Sequence, residues 1–375
     1  MVSWLRVCLV MVLGPCSLWA GEESFLGVER SRIAAILERG YNLDLEVEGE
    51  IAELAAEFPG SPVPSLMEAG YLYWVQNYLK WDETMKVRFE EKAEVALEVA
   101  KAYLAENEGD ADAQFAVGMV ELMQVIYYVD HHRWWAAFWK TRSSLKTMRR
   151  LAAEYPDYHD AKLPLGMQNC YLSRPPAYLK PLAFLMRFKG DWELGLRYMR
   201  EARDGGLFCR TDAGYYLAEI WIELEGDKRA ARDELAKLVE RFPGNLKFQA
   251  RLAELDRGLG KQVEARERAL EVLGDERLAA FPAIEGEALT TLLWSSLASQ
   301  ALELAVETAD RVEVFLDEFP EGEGSQEWAA YVRAEAVLGL GDREKAVKIW
   351  REVAKGDDAD AAKEAKRRLA EEVRD

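Results

Sequence analysis

Residues 212–244 read DAGYYLAEIWIELEGDKRAARDELAKLVERFPG. Tyr215, Leu217, Ala218, Trp221, Ile222 and Leu224 recur at helical spacing along one side, with Glu219 and Glu223 placed to face outward. Gly226-Asp227 then interrupts the stripe. Glycine permits the left-handed backbone that ends one helix, and aspartate supplies an oxygen that caps the next. Ala230, Ala231, Leu235, Leu238 and Val239 form a second stripe. Phe242-Pro243-Gly244 closes it, because proline cannot continue a helix interior. This stretch therefore predicts two helices joined by a tight turn and sharing an apolar face.

The punctuation recurs along the chain. Gly190-Asp191, Gly226-Asp227, Gly260-Lys261 and Gly341-Asp342 each separate two helical stripes, at intervals of 36, 34 and 81 residues. The last interval holds two longer units. Phe58-Pro59, Tyr155-Pro156, Phe242-Pro243 and Phe319-Pro320 each close a second helix. A two-helix unit repeated about every 34 residues indicates a helical array. Almost no stretch alternates with a period of two, so the fold class is all-α. The stripes predict about eight antiparallel hairpins, over 24–58, 63–107, 110–155, 158–205, 211–242, 245–274, 284–319 and 325–356. A polar helix over 358–373 reads as the solubilising cap of an open stack. Residues 21–160 hold the divergent, aromatic-rich hairpins, and 161–375 the more regular ones. Pro59-Gly60-Ser61-Pro62-Val63-Pro64 is short enough to be a turn between units.

The unit 212–243 resembles the tetratricopeptide repeat (TPR) family. Tyr215 stands in its early aromatic slot, Gly226-Asp227 in its inter-helix turn, Ala231 in the small slot where the helices cross, and Pro243 in the terminal slot. Gly195 and Ala202 occupy small positions of the unit around Gly190-Asp191, as Ala334, Ala346 and Ala354 do around Gly341-Asp342. The unit departs from the family pattern at Glu219, where the first helix carries a glycine in the family, and Gly260 lacks the following aspartate. Pro175-Pro176-Ala177-Tyr178-Leu179-Lys180-Pro181, with the longer helices, also resembles exported bacterial repeat proteins and the family called tetratricopeptide repeat protein 39. The resemblance implies a TPR-like α-solenoid, a right-handed superhelix whose concave groove binds a protein or peptide partner, with no enzymatic activity.

Composition agrees with a folded array. Half the 375 residues are hydrophobic, which excludes a mostly disordered chain, and 4 Cys exclude a disulfide scaffold. The formal charge of −19 argues against nucleic acid as a partner. Residues 1–20, MVSWLRVCLVMVLGPCSLWA, have the layout of a secretory signal peptide, so the expected location is periplasmic or secreted. The rival reading acylates Cys16 and makes the protein a lipid-anchored assembly factor of the outer membrane. Removal of residues 1–20 leaves Cys170 and Cys209, open to either a disulfide or two buried thiols. No later segment is apolar enough to span a membrane.

The aromatic residues are the most unusual feature. Tyr71, Tyr73, Trp74, Tyr78 and Trp81 crowd the second hairpin; Tyr127, Tyr128, Trp134, Trp135, Phe138 and Trp139 crowd the third. Two readings stand: packing between long helices, or a surface facing a partner. The candidate partner-binding residues are Tyr71, Trp74, Tyr127, His131, Trp134, Trp135 and Trp139. Tyr127, His131, Trp135 and Trp139 share one helix side only if the helix continues through 130–133. The chain has three histidines; adjacent residues such as Asp130-His131-His132 point about 100° apart on a helix and rarely meet one ion. No metal, catalytic or cofactor motif is present: no His-Glu-x-x-His, no Gly-x-Ser-x-Gly and no phosphate loop. A helical-repeat enzyme acting on cell-wall glycans through an acidic pair remains the catalytic alternative.

Overall fold

The computed structural model describes residues 24–78, 83–174 and 190–372. Residues 1–20 with Cys16, Trp81 and the Pro175–Pro181 segment lie outside the described residues. Seventeen α-helices are found among the described residues, and they pair as hairpins in chain order. The pairs are α1 (Arg30–Tyr41) with α2 (Val47–Glu57), α3 (Val63–Tyr78) with α4 (Glu83–Glu106), α5 (Ala111–Asp130) with α6 (Trp134–Glu154), and α7 (Lys162–Ser173) with α8 (Trp192–Gly205). The array continues with α9 (Arg210–Ile220) and α10 (Lys228–Arg241), α11 (Leu246–Gly258) and α12 (Gln262–Leu273), α13 (Pro282–Ala298) and α14 (Leu302–Glu318), and α15 (Gln326–Gly339) and α16 (Arg343–Val353). A last helix, α17 (Ala359–Glu372), covers the end of the stack. This is an α-solenoid of eight antiparallel hairpins with a C-terminal cap.

The boundaries have the chemistry the sequence announces. Asp191, Asp227 and Asp342 accept backbone N–H bonds at the starts of α8, α10 and α16. Phe58, Tyr155, Phe242 and Phe319 are the last half-helical residues of α2, α6, α10 and α14, each followed by its proline. Gly226 has φ +68° and Gly341 φ +95°, conformations that cost glycine little. Between α13 and α14 the same left-handed position is held by Gln300, φ +61°. That turn divides the 81-residue interval into the two longer units. Ala231, in the predicted small slot, is fully buried. A β-carbon on Gly195 would stand 2.6 Å from the sulfur of Cys170 and 2.9 Å from its backbone nitrogen, so α7 and α8 approach too closely for any larger residue.

One boundary is corrected. The first hairpin was expected to be helical from residue 24, but Ser24–Phe25 (β1) and Val28–Glu29 (β2) form a small antiparallel pair before α1. Leu26 and Gly27 both have positive φ, +48° and +85°, which suits a two-residue turn between strands. Phe25 and Val28 point into the core while Ser24 and Glu29 do not.

The N-terminal elements do not end the stack as a free edge. Phe25 packs on Phe115 of α5 and on Phe208, with ring centroids 6.2 and 4.7 Å away. Arg30 pairs with Asp112 at 3.2 Å. At the far end of α1, Asn245 donates to the carbonyl of Tyr41 at 2.6 Å, Arg277 to that of Asn42 at 3.0 Å, and Arg241 pairs with Glu38 at 3.0 Å. Tyr78 of α3 meets Phe281 edge-on at 6.1 Å. Helices α1 and α3 thus lie against hairpins five to seven as well as against their own neighbours.

Candidate functional site

The structure divides the seven candidate residues between two places. Tyr71 and Trp74, on α3, line a cleft with a cavity volume of about 80 Å³ that is partly open to solvent. Its walls are apolar side chains of α1, α2 and α3, among them Ile36, Leu37, Val47, Ile51 and Leu66, with Met119 and Met123 from α5. Asp212, in the first turn of α9, is the acid in this lining.

The Asp212 carboxylate is buried beneath α1 and α3. One oxygen accepts the Tyr41 hydroxyl at 2.7 Å and the Trp74 indole N–H at 2.9 Å. The other oxygen takes no hydrogen bond among the described residues. Burial raises the carboxyl's pKa, the two donors lower it, and the balance leaves it pushed up to about 6. Trp74 in turn sits against Tyr41, Tyr73, Tyr78, Tyr215 and Phe248, with ring centroids 5.3 to 6.4 Å away. The hydroxyls of Tyr73 and Tyr216 are hydrogen-bonded to each other, and burial pushes both phenols well up. Tyr73 and Tyr78 are thus buried packing residues, while Tyr71 and Trp74 are half-buried at the cleft wall.

The third hairpin differs. Helix α5 ends at Asp130, His132 adopts φ +56°, and α6 starts at Trp134. The continuous side linking Tyr127 to Trp139 is therefore not formed. Tyr127 is buried, and the exposed His131 folds back on it, rings 4.1 Å apart and Nδ1 2.8 Å from the Tyr127 carbonyl. Trp134, Trp135 and Trp139 are 43%, 77% and 62% exposed, so these rings are not packed into the core.

Residue-level reading of the sequence missed Asp212 and Asp160. Asp160, also buried, accepts the backbone N–H groups of Leu207, Phe208 and Cys209 at 2.7–2.9 Å and thereby sets the approach to α9. Burial raises its pKa, and these three donors oppose that rise. The signal available was an acid beside an apolar run, which reads equally well as an ordinary helix start. Glu219, in the slot where the family has glycine, forms a two-bond pair with Arg251 of the next hairpin at 3.1 and 2.9 Å. Cys170 and Cys209 are both free, buried thiols, so of the two cysteine readings the structure has the second. Burial pushes Cys170 up to about 12. Among the described residues no group of three or more His, Cys, Asp or Glu is placed to hold a metal ion, and no helix is long and apolar enough to cross a membrane.

Comparison with known proteins places one segment. The tetratricopeptide repeat family model matches residues 212–245. No curated protein matches the chain. Among solved structures, the P58(IPK) TPR domain is similar with 13% identity over 80% of this chain and 99% of that one, TM-score 0.20. Yeast Tom70 is similar with 12% identity over 92% of this chain and 88% of that one, TM-score 0.24. The family match covers the two-helix unit from Asp212 through the Phe242-Pro243 stop, with Gly226-Asp227 at its turn and Ala231 at its crossing, so residues 212–245 are similar to a tetratricopeptide repeat and form one hairpin of the helical array.

Proposed function

We propose that the protein is an exported, non-enzymatic scaffold that holds a protein or peptide partner, with the cleft between α1, α2 and α3 as its anchoring point. The cleft carries this reading. It offers apolar walls for one large side chain, and an acceptor oxygen on Asp212 for an N–H or ammonium group beside it. A single acid in the lining supports a binding role, since glycan hydrolysis uses a carboxylate pair. The signal-like residues 1–20 support export.

Gly70 gives the test. It lines the cleft, and a β-carbon there has no heavy atom within 4 Å. Gly70→Leu should fill the cleft without displacing the fold, and should raise the helix propensity of α3 by roughly 1 kcal/mol. Tagged wild-type chain should capture a partner from an envelope fraction and the Gly70→Leu chain should not, with equal or higher thermal stability. Equal capture by both would remove the cleft from the binding mechanism.

A further inference from the structure

Helix α6 breaks the charge pattern of this chain. Acids outnumber bases by 67 to 48 overall, yet no Asp or Glu occurs between Asp130 and Glu154. That run holds Arg133, Lys140, Arg142, Lys146, Arg149 and Arg150. Trp135, Trp139, Arg142, Lys146 and Arg149 fall at i, i+4, i+7, i+11 and i+14, which is a single stripe of an α-helix. All five are exposed. The stripe runs about 20 Å, indoles at the N-terminal end and cations toward the C-terminal end. Phe138 extends the aromatic end, its ring 6.1 Å from that of Trp135 and 5.1 Å from that of Trp139. Arg142 and Lys146 form no ion pair among the described residues, and Arg149 bonds only the neutral Gln168 there.

We infer that the exposed stripe of α6 is a docking surface for an anionic phospholipid membrane, with the helix lying along the bilayer plane. Indoles are placed well at the boundary between headgroups and acyl chains, and cations at the phosphates beside them. A row of large, exposed rings beside cations that form no ion pair among the described residues suits a deformable, anionic surface. Charge sets the orientation. The acidic remainder of the chain is repelled by the membrane, while screening within about 8 Å at physiological salt lets the ridge act locally. This inference uses a different surface from the α3 cleft and does not depend on the partner-binding reading.

Co-sedimentation of the full chain with vesicles tests it. Wild type should bind phosphatidylcholine vesicles containing phosphatidylglycerol far better than pure phosphatidylcholine vesicles, and added salt should weaken that binding. Arg142→Glu/Lys146→Glu should reduce anionic-vesicle binding by at least about fivefold per position. Trp135→Ala/Trp139→Ala should abolish residual binding, and neither pair touches the core. Lys363→Glu/Lys366→Glu on the exposed face of α17 changes net charge equally and should have little effect. The inference is overturned by equal loss in the α17 variant, by equal binding to neutral vesicles, or by no sedimentation of wild type. It is also overturned if the tryptophan pair affects capture of a protein partner but not vesicle binding.

Discussion

Asp212 shows how one side chain couples the fold to the cleft. Its burial beneath α1 and α3 makes the charged form costly, while Tyr41 and Trp74 hold it in place. Its folded pKa, about 6, lies above the ordinary 3.8. Between those values the folded chain binds a proton that the unfolded chain releases, so this residue's contribution to stability falls as pH rises through that window. Above it the penalty is fully present; below 3.8 it is absent. Asp212→Asn keeps one oxygen for the two donors and removes the charge. It should stabilise the chain by about 1–3 kcal/mol at neutral pH and change little in acid, a difference read from melting temperatures at the two conditions. A variant that melts lower at neutral pH would show that the ionised form is needed by its donors. The small slots at Gly195 and Ala231 were legible in the sequence because a close helix crossing tolerates only small residues. The environment of Asp212 was not, because its burial comes from helices more than a hundred residues earlier in the chain.

At the level of elements, the hairpins follow from local chemistry: two apolar stripes and a tight turn, with a capping oxygen at Asp191, Asp227 and Asp342 and a proline stop after α2, α6, α10 and α14. Three hairpins reach a left-handed turn without glycine, through Leu43, His132 and Gln300. A residue with a β-carbon pays a steric cost there of about 1 kcal/mol. Gln300→Gly should therefore stabilise the α13–α14 hairpin by up to about 1 kcal/mol, partly offset by the greater freedom of glycine in the unfolded chain. Chemical denaturation of the two chains measures it, and a destabilised variant would mean that the Gln300 side chain contributes more than its backbone costs. These turns escaped the glycine pattern, which is why the 81-residue interval carried no internal marker. The strands β1 and β2 escaped for another reason: two residues each is too short for an alternating pattern to stand out.

For the whole molecule, the return of α1 and α3 against hairpins five to seven is the decisive arrangement. Open arrays lose their terminal units first, because each unit touches only its neighbours. Here α1 and the residues flanking it are held from both sides: Asp112 pairs with Arg30 and Phe115 packs on Phe25 of β1 at one end, and Arg241, Asn245 and Arg277 bind Glu38, Tyr41 and Asn42 at the other. Native-state hydrogen exchange should find the amides of α1 protected comparably to α9 and α11, while α17 exchanges first. Fast exchange throughout α1 would mean that the two halves open independently. The amino-acid sequence by itself determined the helical class, the number and order of hairpins and most of their boundaries, since each depends on residues close together in the chain. Only the tertiary structure decided which aromatics are buried, where the cleft lies and which indoles face outward. Those outcomes depend on how successive hairpins rotate and bring distant helices together, and no local spacing records that accumulated rotation.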